Sequence, residues 1–115
     1  MPEFINDKKL YYTPVEYVFS KIGGTYKMPI LWRVKDKSWR YNELKKSIGH
    51  ISDRMLSKNL KELVADGFVE KEIIAEVPVK VEYRITKRGQ NSIPIISMLR
   101  EYGFELMKED GISDK

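Results

Sequence analysis

Arg40-Tyr41-Asn42-Glu43-Leu44-Lys45-Lys46-Ser47-Ile48-Gly49-His50-Ile51-Ser52-Asp53-Arg54-Met55-Leu56-Ser57-Lys58-Asn59-Leu60-Lys61-Glu62-Leu63-Val64-Ala65-Asp66-Gly67 reads as two helices joined by a tight turn. Asn42 is a good N-cap for the first, which carries Glu43, Leu44 and Ile48 and stops at Gly49. Ser52 then offers a second N-cap, and Leu56, Leu60, Leu63 and Val64 fall at helical spacing on one face. The opposite face presents Arg54, Ser57, Lys58 and Lys61. Asp66-Gly67 closes this second helix. The leucine stripe is packing material, and the basic face is what needs a function.

Working towards the N-terminus, Trp39-Arg40-Tyr41 has room only for a strand stub. Before it, Met28, Ile30, Leu31, Trp32 and Val34 form a short, largely buried helix in which Pro29 fits only near the start. An earlier helix opens at Pro14 and lays Val15, Val18, Phe19 and Ile22 on one face before Gly23-Gly24 interrupts it. Residues before Tyr12 read as a polar start.

Working towards the C-terminus, the period changes at Phe68. Phe68, Val69, Ile73 and Ile74 favour a strand, residues 75–80 read as a loop, and Val81, Tyr83 and Ile85 alternate with Glu82, Arg84 and Thr86. The expectation is a two-stranded hairpin with a moderately long tip. Thr86 caps a last helix, with Gly89 early in it and an irregularity expected at Pro94. Ile93, Ile96, Leu99, Tyr102, Phe104, Leu106 and Met107 give that helix more apolar surface than one small core can cover, so part of it is expected to meet another chain.

The resulting order, two helices, a stub, a short helix, a turn, a longer helix, a hairpin and a final helix, is that of a winged helix-turn-helix. The expected fold class is therefore α+β, mainly α, with a two-stranded β wing. In such an arrangement the second helix of the pair enters the major groove while the first braces it across the backbone. Arg54, Ser57 and Lys58 are the candidates for base edges, and Arg40, Lys45, Lys61 and Lys80 for phosphates. Ser52 caps the helix and is placed near a phosphate.

Composition agrees with this partner. The net charge is only +4, but it is segregated along the chain. Residues 27–61 hold ten Lys or Arg against three acids, whereas residues 62–115 hold eight against eleven. With 115 residues the chain forms one domain, expected to have a core over about residues 12–103 and flexible tails. There is no cysteine, so disulfides and thiolate chemistry are excluded. A single histidine, His50, and the lack of any glycine-rich phosphate loop or nucleophile and base set argue against an enzyme and give no expectation of a cofactor or metal. No segment approaches the roughly 18 apolar residues that span a bilayer, so no membrane partner and a cytoplasmic location are expected. An apolar space lined by Tyr17, Phe19, Tyr102 and Phe104 could receive a small-molecule effector, although packing is the better explanation of those residues.

Several stretches, taken in order, closely resemble the HxlR-type (DUF24) winged-helix regulators, distant relatives of the MarR group. They are Thr13-Pro14-Val15-Glu16, Ile22-Gly23-Gly24, Ile30-Leu31, Arg40 to Leu44, Ile51-Ser52 through Met55-Leu56, Leu60 to Leu63, Ala65-Asp66-Gly67 and Val77-Pro78 through Tyr83. The resemblance implies a homodimeric bacterial regulator of transcription, with terminal helices forming the dimer and the second motif helix reading double-stranded DNA. It makes residues 52–66 the recognition helix and residues 75–80 the wing. A dimer would place two such helices about 34–36 Å apart, or at a multiple of a turn, so the operator is expected to be an inverted repeat.

Three departures from the pattern stand out. Many relatives begin with Cys-Pro-Val-Glu, and in several that cysteine senses oxidants or electrophiles; Thr13 stands here. Relatives often carry Gly-Gly-Lys-Trp where this chain has Gly23-Gly24-Thr25-Tyr26, and Lys27 is the expected substitute for the missing phosphate contact. The wing pattern also changes at Val79-Lys80. The competing reading is a winged-helix module that binds a protein and leaves its basic face unused.

Overall fold

A computed structural model describes residues 3–113. The elements in chain order are β1 (Phe4–Asn6), β2 (Lys9–Tyr11), α1 (Pro14–Ile22), α2 (Lys27–Val34), α3 (Tyr41–Ile48), α4 (Asp53–Ala65), β3 (Val69–Glu76), β4 (Val79–Ile85) and α5 (Lys87–Glu109). The core is built from Ile30, Leu31 and Val34 of α2, Leu44 of α3, and Leu56, Leu60 and Leu63 of α4, closed by Phe68, Val69 and Ile96. Helix α2 lies at its centre and touches α3, α4, α5 and β4. No helix among the described residues is long and apolar enough to cross a membrane.

The helix ends follow local chemistry. Thr13, at the position where many relatives carry cysteine, caps α1: its Oγ1 accepts from the Glu16 N–H at 3.0 Å. Ser52 Oγ accepts from Met55 N–H at 3.1 Å and Thr86 Oγ1 from Gly89 N–H at 3.1 Å, as expected for α4 and α5. The cap of α3 differs from expectation. Arg40, not Asn42, is the N-cap, because Glu43 lies three residues on and its carboxylate accepts the Arg40 backbone N–H at 2.9 Å. Trp39 forms the expected stub, exchanging backbone hydrogen bonds with Tyr83 of β4 at 2.9 and 2.8 Å.

Gly89 allows α5 to meet the sheet closely, since a Cβ there would run into the Phe68 carbonyl oxygen and the Ile85 side chain. Helix α5 continues through Pro94.

Three further expectations change. Residues 4–11, read as a polar tail, form the β1–β2 hairpin. Its loop residues Asp7 and Lys8 both take positive φ, the geometry of a two-residue hairpin loop, without the glycine that usually announces one. The hairpin is held by tertiary contacts. Phe4 and Tyr11 stack at 5.2 Å, both meet the Tyr17 ring edgewise, and Asn6 Nδ2 donates to the Tyr17 hydroxyl at 2.8 Å.

Residues 75–80 are not a long loop. β3 pairs with β4 up to Glu76 and Val79, leaving only Val77 and Pro78 at the tip, and Lys80 lies inside β4 opposite Ala75. The β-branched Val79 and Val81 favour the extended strand, and Pro78, which has no N–H to offer a ladder, takes the tip.

Lys27 is the third change. It is only 8% exposed, and its Nζ lies 2.8 Å from Glu62 Oε1 on α4, so it joins two helices inside the fold instead of replacing a phosphate contact. The pairing holds the Glu62 carboxyl below its usual range. The two partners are unequal, because the lysine is buried while Glu62 remains 44% exposed. Glu62→Gln, which strands a buried ammonium, is expected to cost about 1–2 kcal/mol in urea unfolding at pH 7. Lys27→Met, which leaves a carboxylate facing water, should cost less than about 1 kcal/mol. Because the folded-state value is depressed, the contribution is present above the ordinary glutamate range and disappears as pH falls through the depressed value. Acid titration of stability should show that component in the parent and not in Glu62→Gln. Equal losses in the two variants at pH 7 would contradict the asymmetry.

Candidate nucleic-acid interface

Helix α4 has two chemically distinct sides, and the fold orients them oppositely. Leu56, Asn59, Leu60 and Leu63 are buried, with Asn59 Nδ2 donating to the Met55 carbonyl at 2.7 Å. Arg54, Lys58 and Lys61 are exposed. Among the described residues, none of these three cations lies within 4.0 Å of a carboxylate oxygen. They form a stripe of positive charge on the outer side of the second helix of the pair, with Lys58 acting on Glu62 through its charge but not in contact with it.

The remaining candidates are placed differently from one another. Ser52 is exposed at the helix start, where its oxygen is occupied in capping. Arg40 is exposed at the start of α3. Lys45 points at α4, its Nζ 2.9 Å from Asp53 Oδ1. The Tyr41 hydroxyl also reaches Asp53, at 3.0 Å from Oδ1 and 3.1 Å from the carbonyl oxygen, and lies 3.2 Å from Ser57 Oγ. Hydrogen bonds from Lys45 and then Tyr41 pull the Asp53 carboxyl below the usual range. Lys45 and Ser57 therefore belong to a polar clasp that fixes α3 against the first turn of α4. Lys80 stands on the wing, separate from the helix stripe.

The structure adds residues that periodicity did not find. A groove between α4 and the wing is lined by Tyr41, Ser57, Lys61, Lys71 and Tyr83, among others. Lys71, on β3 opposite Tyr83, supplies an exposed cation facing the same groove as Lys61. Only strand register brings it there, and nothing in its local sequence distinguishes it from its neighbours Glu70 and Glu72. Those two glutamates are engaged by Arg84, at 3.0 and 3.4 Å, so the wing's acids are partly neutralised from within. The hydrogen bonding to Glu70, and then the charges of Glu72 and Glu70, raise the Arg84 pKa.

A helix pair joined by a tight turn, a basic outer face on its second helix and a two-stranded wing alongside define a winged helix-turn-helix protein. Residues 21–111 match the HxlR-like helix-turn-helix family, and the chain belongs to that family. It is 41% identical over 91 residues to the uncharacterized HTH-type transcriptional regulator YdzF of Bacillus subtilis, covering 78% of this chain and 84% of that one. A regulator of the same description from Methanothermobacter thermautotrophicus is 39% identical over 93 residues, covering 81% of this chain and 71% of its own.

Among solved structures, the redox regulator HypR in its oxidized form superposes with a TM-score of 0.77 at 38% identity, over 81% of this chain and 96% of its own. The putative HTH-type regulator ytcD gives 0.78 at 33%, over 84% and 98%. HypR is described as a redox regulator; this chain has no cysteine, so thiol oxidation is not available to it.

Proposed function

We propose that this protein binds double-stranded DNA as a homodimer in the cytoplasm, recognises an inverted repeat and regulates transcription. The observation that carries the reading is the unpaired Arg54, Lys58 and Lys61 stripe on the exposed side of α4, with Lys71 and Lys80 on the adjoining wing. A duplex that takes α4 into its major groove would have its phosphates neutralised by the stripe and release counterions. A protein-binding helix would be expected to display apolar anchors there, and Met55 is the only large apolar side chain exposed on α4.

The dimer rests on surface that the monomer leaves uncovered. In α1, Val15, Val18 and Phe19, expected from their spacing to form an apolar face, are exposed while Ile22 alone is buried. In α5, Ile95, Met98, Leu99, Tyr102 and Leu106 share a face and are all exposed, Met98 to 73%. An apolar face of this length on a terminal helix suits a second copy. Selection of bound oligonucleotides from a random pool tests the whole reading, and a two-fold symmetric consensus is expected. Met98→Glu should shift the protein to a monomer in analytical ultracentrifugation and abolish the preference for two half-sites over one. A variant that stays dimeric would remove α5 from the interface.

Asp53 restrains the interface, since it holds Lys45 by its carboxylate at the very start of α4. Asp53→Asn should remove a repulsive charge and release Lys45 towards the backbone. DNA affinity in a fluorescence anisotropy titration is expected to rise several-fold, with a steeper dependence on salt. A loss of affinity would show that the clasp orients α4 more than it masks charge.

A further inference from the structure

A second cleft, between α2, α5 and the α3–α4 turn, lies apart from the basic stripe and shares only Leu99 with the apolar face of α5. It has a volume of about 520 Å³, and its lining includes Trp32, Arg33, His50, Ile96, Leu99 and Arg100. That size falls within the roughly 300–1,000 Å³ of small-molecule sites. It is distinct from the Tyr17, Phe19, Tyr102 and Phe104 set that the sequence offers as an alternative to packing, since none of those four lines it.

Two guanidinium groups enter the cleft from different helices. Arg33 Nε donates to Ser47 Oγ at 2.7 Å, and its terminal nitrogens donate to the carbonyl oxygens of Pro29 at 3.0 Å and Ser47 at 3.3 Å. All those acceptors are neutral. The Arg100 guanidinium carbon lies 4.5 Å from the Trp32 ring centroid and 5.5 Å from that of Phe104. Among the described residues, neither arginine has a carboxylate oxygen within 4.0 Å. Burial first, and then the charge of Arg100, lower the Arg33 pKa. Two like charges, one on the partly buried Arg33 and one on the exposed Arg100, thus face one cleft without a carboxylate partner, an arrangement that an entering anion relieves.

The rest of the wall is apolar or aromatic. Ile96 is buried in the core, Leu99 stands beside it in the lining, and Trp32 gives an aromatic surface next to Arg100. A ligand that uses both kinds of wall carries a negative head and a flat apolar body.

We propose that this cleft is a binding site for a small aromatic carboxylate, its head on Arg33 and Arg100 and its ring against Trp32 and Ile96. Ile48 and His50 of the turn leading into α4 line the same cleft, so an occupant touches the support of the basic helix. That regulatory consequence rests on the DNA-binding reading; the site itself does not.

The test is isothermal titration calorimetry of the free full-length protein with 2-naphthoate and with its neutral analogue 2-naphthamide. Saturable naphthoate binding is expected, with the amide at least tenfold weaker. Arg100→Met should weaken naphthoate at least tenfold and leave the amide unchanged, while Arg100→Lys, which keeps the charge, should fall between. Thermal melts of each variant report folding, and the comparison of the two ligands on the parent protein needs no variant. Arg54→Ala/Lys58→Ala should bind naphthoate as the parent does. The proposal is overturned by equal affinity for acid and amide, by absence of saturation up to millimolar naphthoate, by undiminished binding in folded Arg100→Met, or by loss in the Arg54/Lys58 variant. Because no DNA is present, each of these results leaves the DNA-binding reading standing, and failure to select DNA would leave the cleft standing.

Discussion

Arg54→Ala/Lys58→Ala is expected to weaken binding to the selected DNA at least about a hundredfold at fixed salt while leaving the thermal unfolding curve in place. The two side chains are one helical turn apart on the exposed face of α4, and neither is tied to a carboxylate within the chain. Removing them breaks no internal hydrogen bond or close ion pair, only the longer-range attraction of Lys58 for Glu62, so nearly all of the cost falls on the complex. A base-edge hydrogen-bonding pair is worth about 1–3 kcal/mol, and in a two-fold dimer each substitution removes two of them. Arginine or lysine on phosphate would show a second signature. The slope of log affinity against log salt should flatten by about 0.9 for each phosphate no longer neutralised, whereas a residue that touches only a base edge leaves it unchanged. Anisotropy titrations at three or more salt concentrations separate the two roles. Parent-like affinity and slope in a folded variant would take the DNA surface away from α4.

The opposite face of the same helix carries the second large effect. Leu60 is 2% exposed, midway along α4 between Leu56 and Leu63 and within the cluster that includes Ile30 and Leu31 of α2. Leu60→Ala is expected to destabilise the protein by about 2–5 kcal/mol, because the lost transfer free energy is joined by that of a cavity which rigid neighbours cannot fill. Domains of this size have about 5–15 kcal/mol in total, so the variant sits close to the edge of folding. Its melting temperature should drop by at least about 10 °C, compared at equal protein concentration because the proposed dimer would add to stability. A shift of only a degree or two would mean that α4 is not anchored through this stripe. The two variants together state how α4 works: the leucines hold it, and the cations project from it.

The link between these faces and the clasp at the start of α4 accounts for how a short helix pair can present charge rigidly. Tyr41, Lys45, Asp53 and Ser57 join α3 to the first turn of α4 through hydrogen bonds and an ion pair. Side chains immediately beyond that turn, Arg54 and Lys58 among them, consequently start from a fixed backbone. Such preorganisation lowers the ordering cost of recognition.

The linear chain determined the features whose cause is local. The spacing of Leu56, Leu60 and Leu63 specifies the buried face of α4, the hydroxyls of Ser52 and Thr86 mark two helix starts, and Pro14 opens a third. The order of these elements was enough to give the winged helix-turn-helix class, since each depends on neighbours within a few residues. Absence of cysteine likewise removed thiol sensing without any coordinates.

Tertiary structure alone decided which polar groups are free and which are already committed. Lys27 looks like any exposed lysine until α4 brings Glu62 to within 2.8 Å of it, and Lys45 loses its independence to Asp53 in the same way. The first hairpin exists because Tyr17 from α1 completes an aromatic cluster with Phe4 and Tyr11, although its turn lacks the usual glycine. Lys71 joins the groove, and Arg33 meets Arg100, only after strand register and helix packing have been set. Charge and hydrogen-bonding capacity are properties of a residue, but availability depends on partners distant in the chain, and only folding brings those partners into reach.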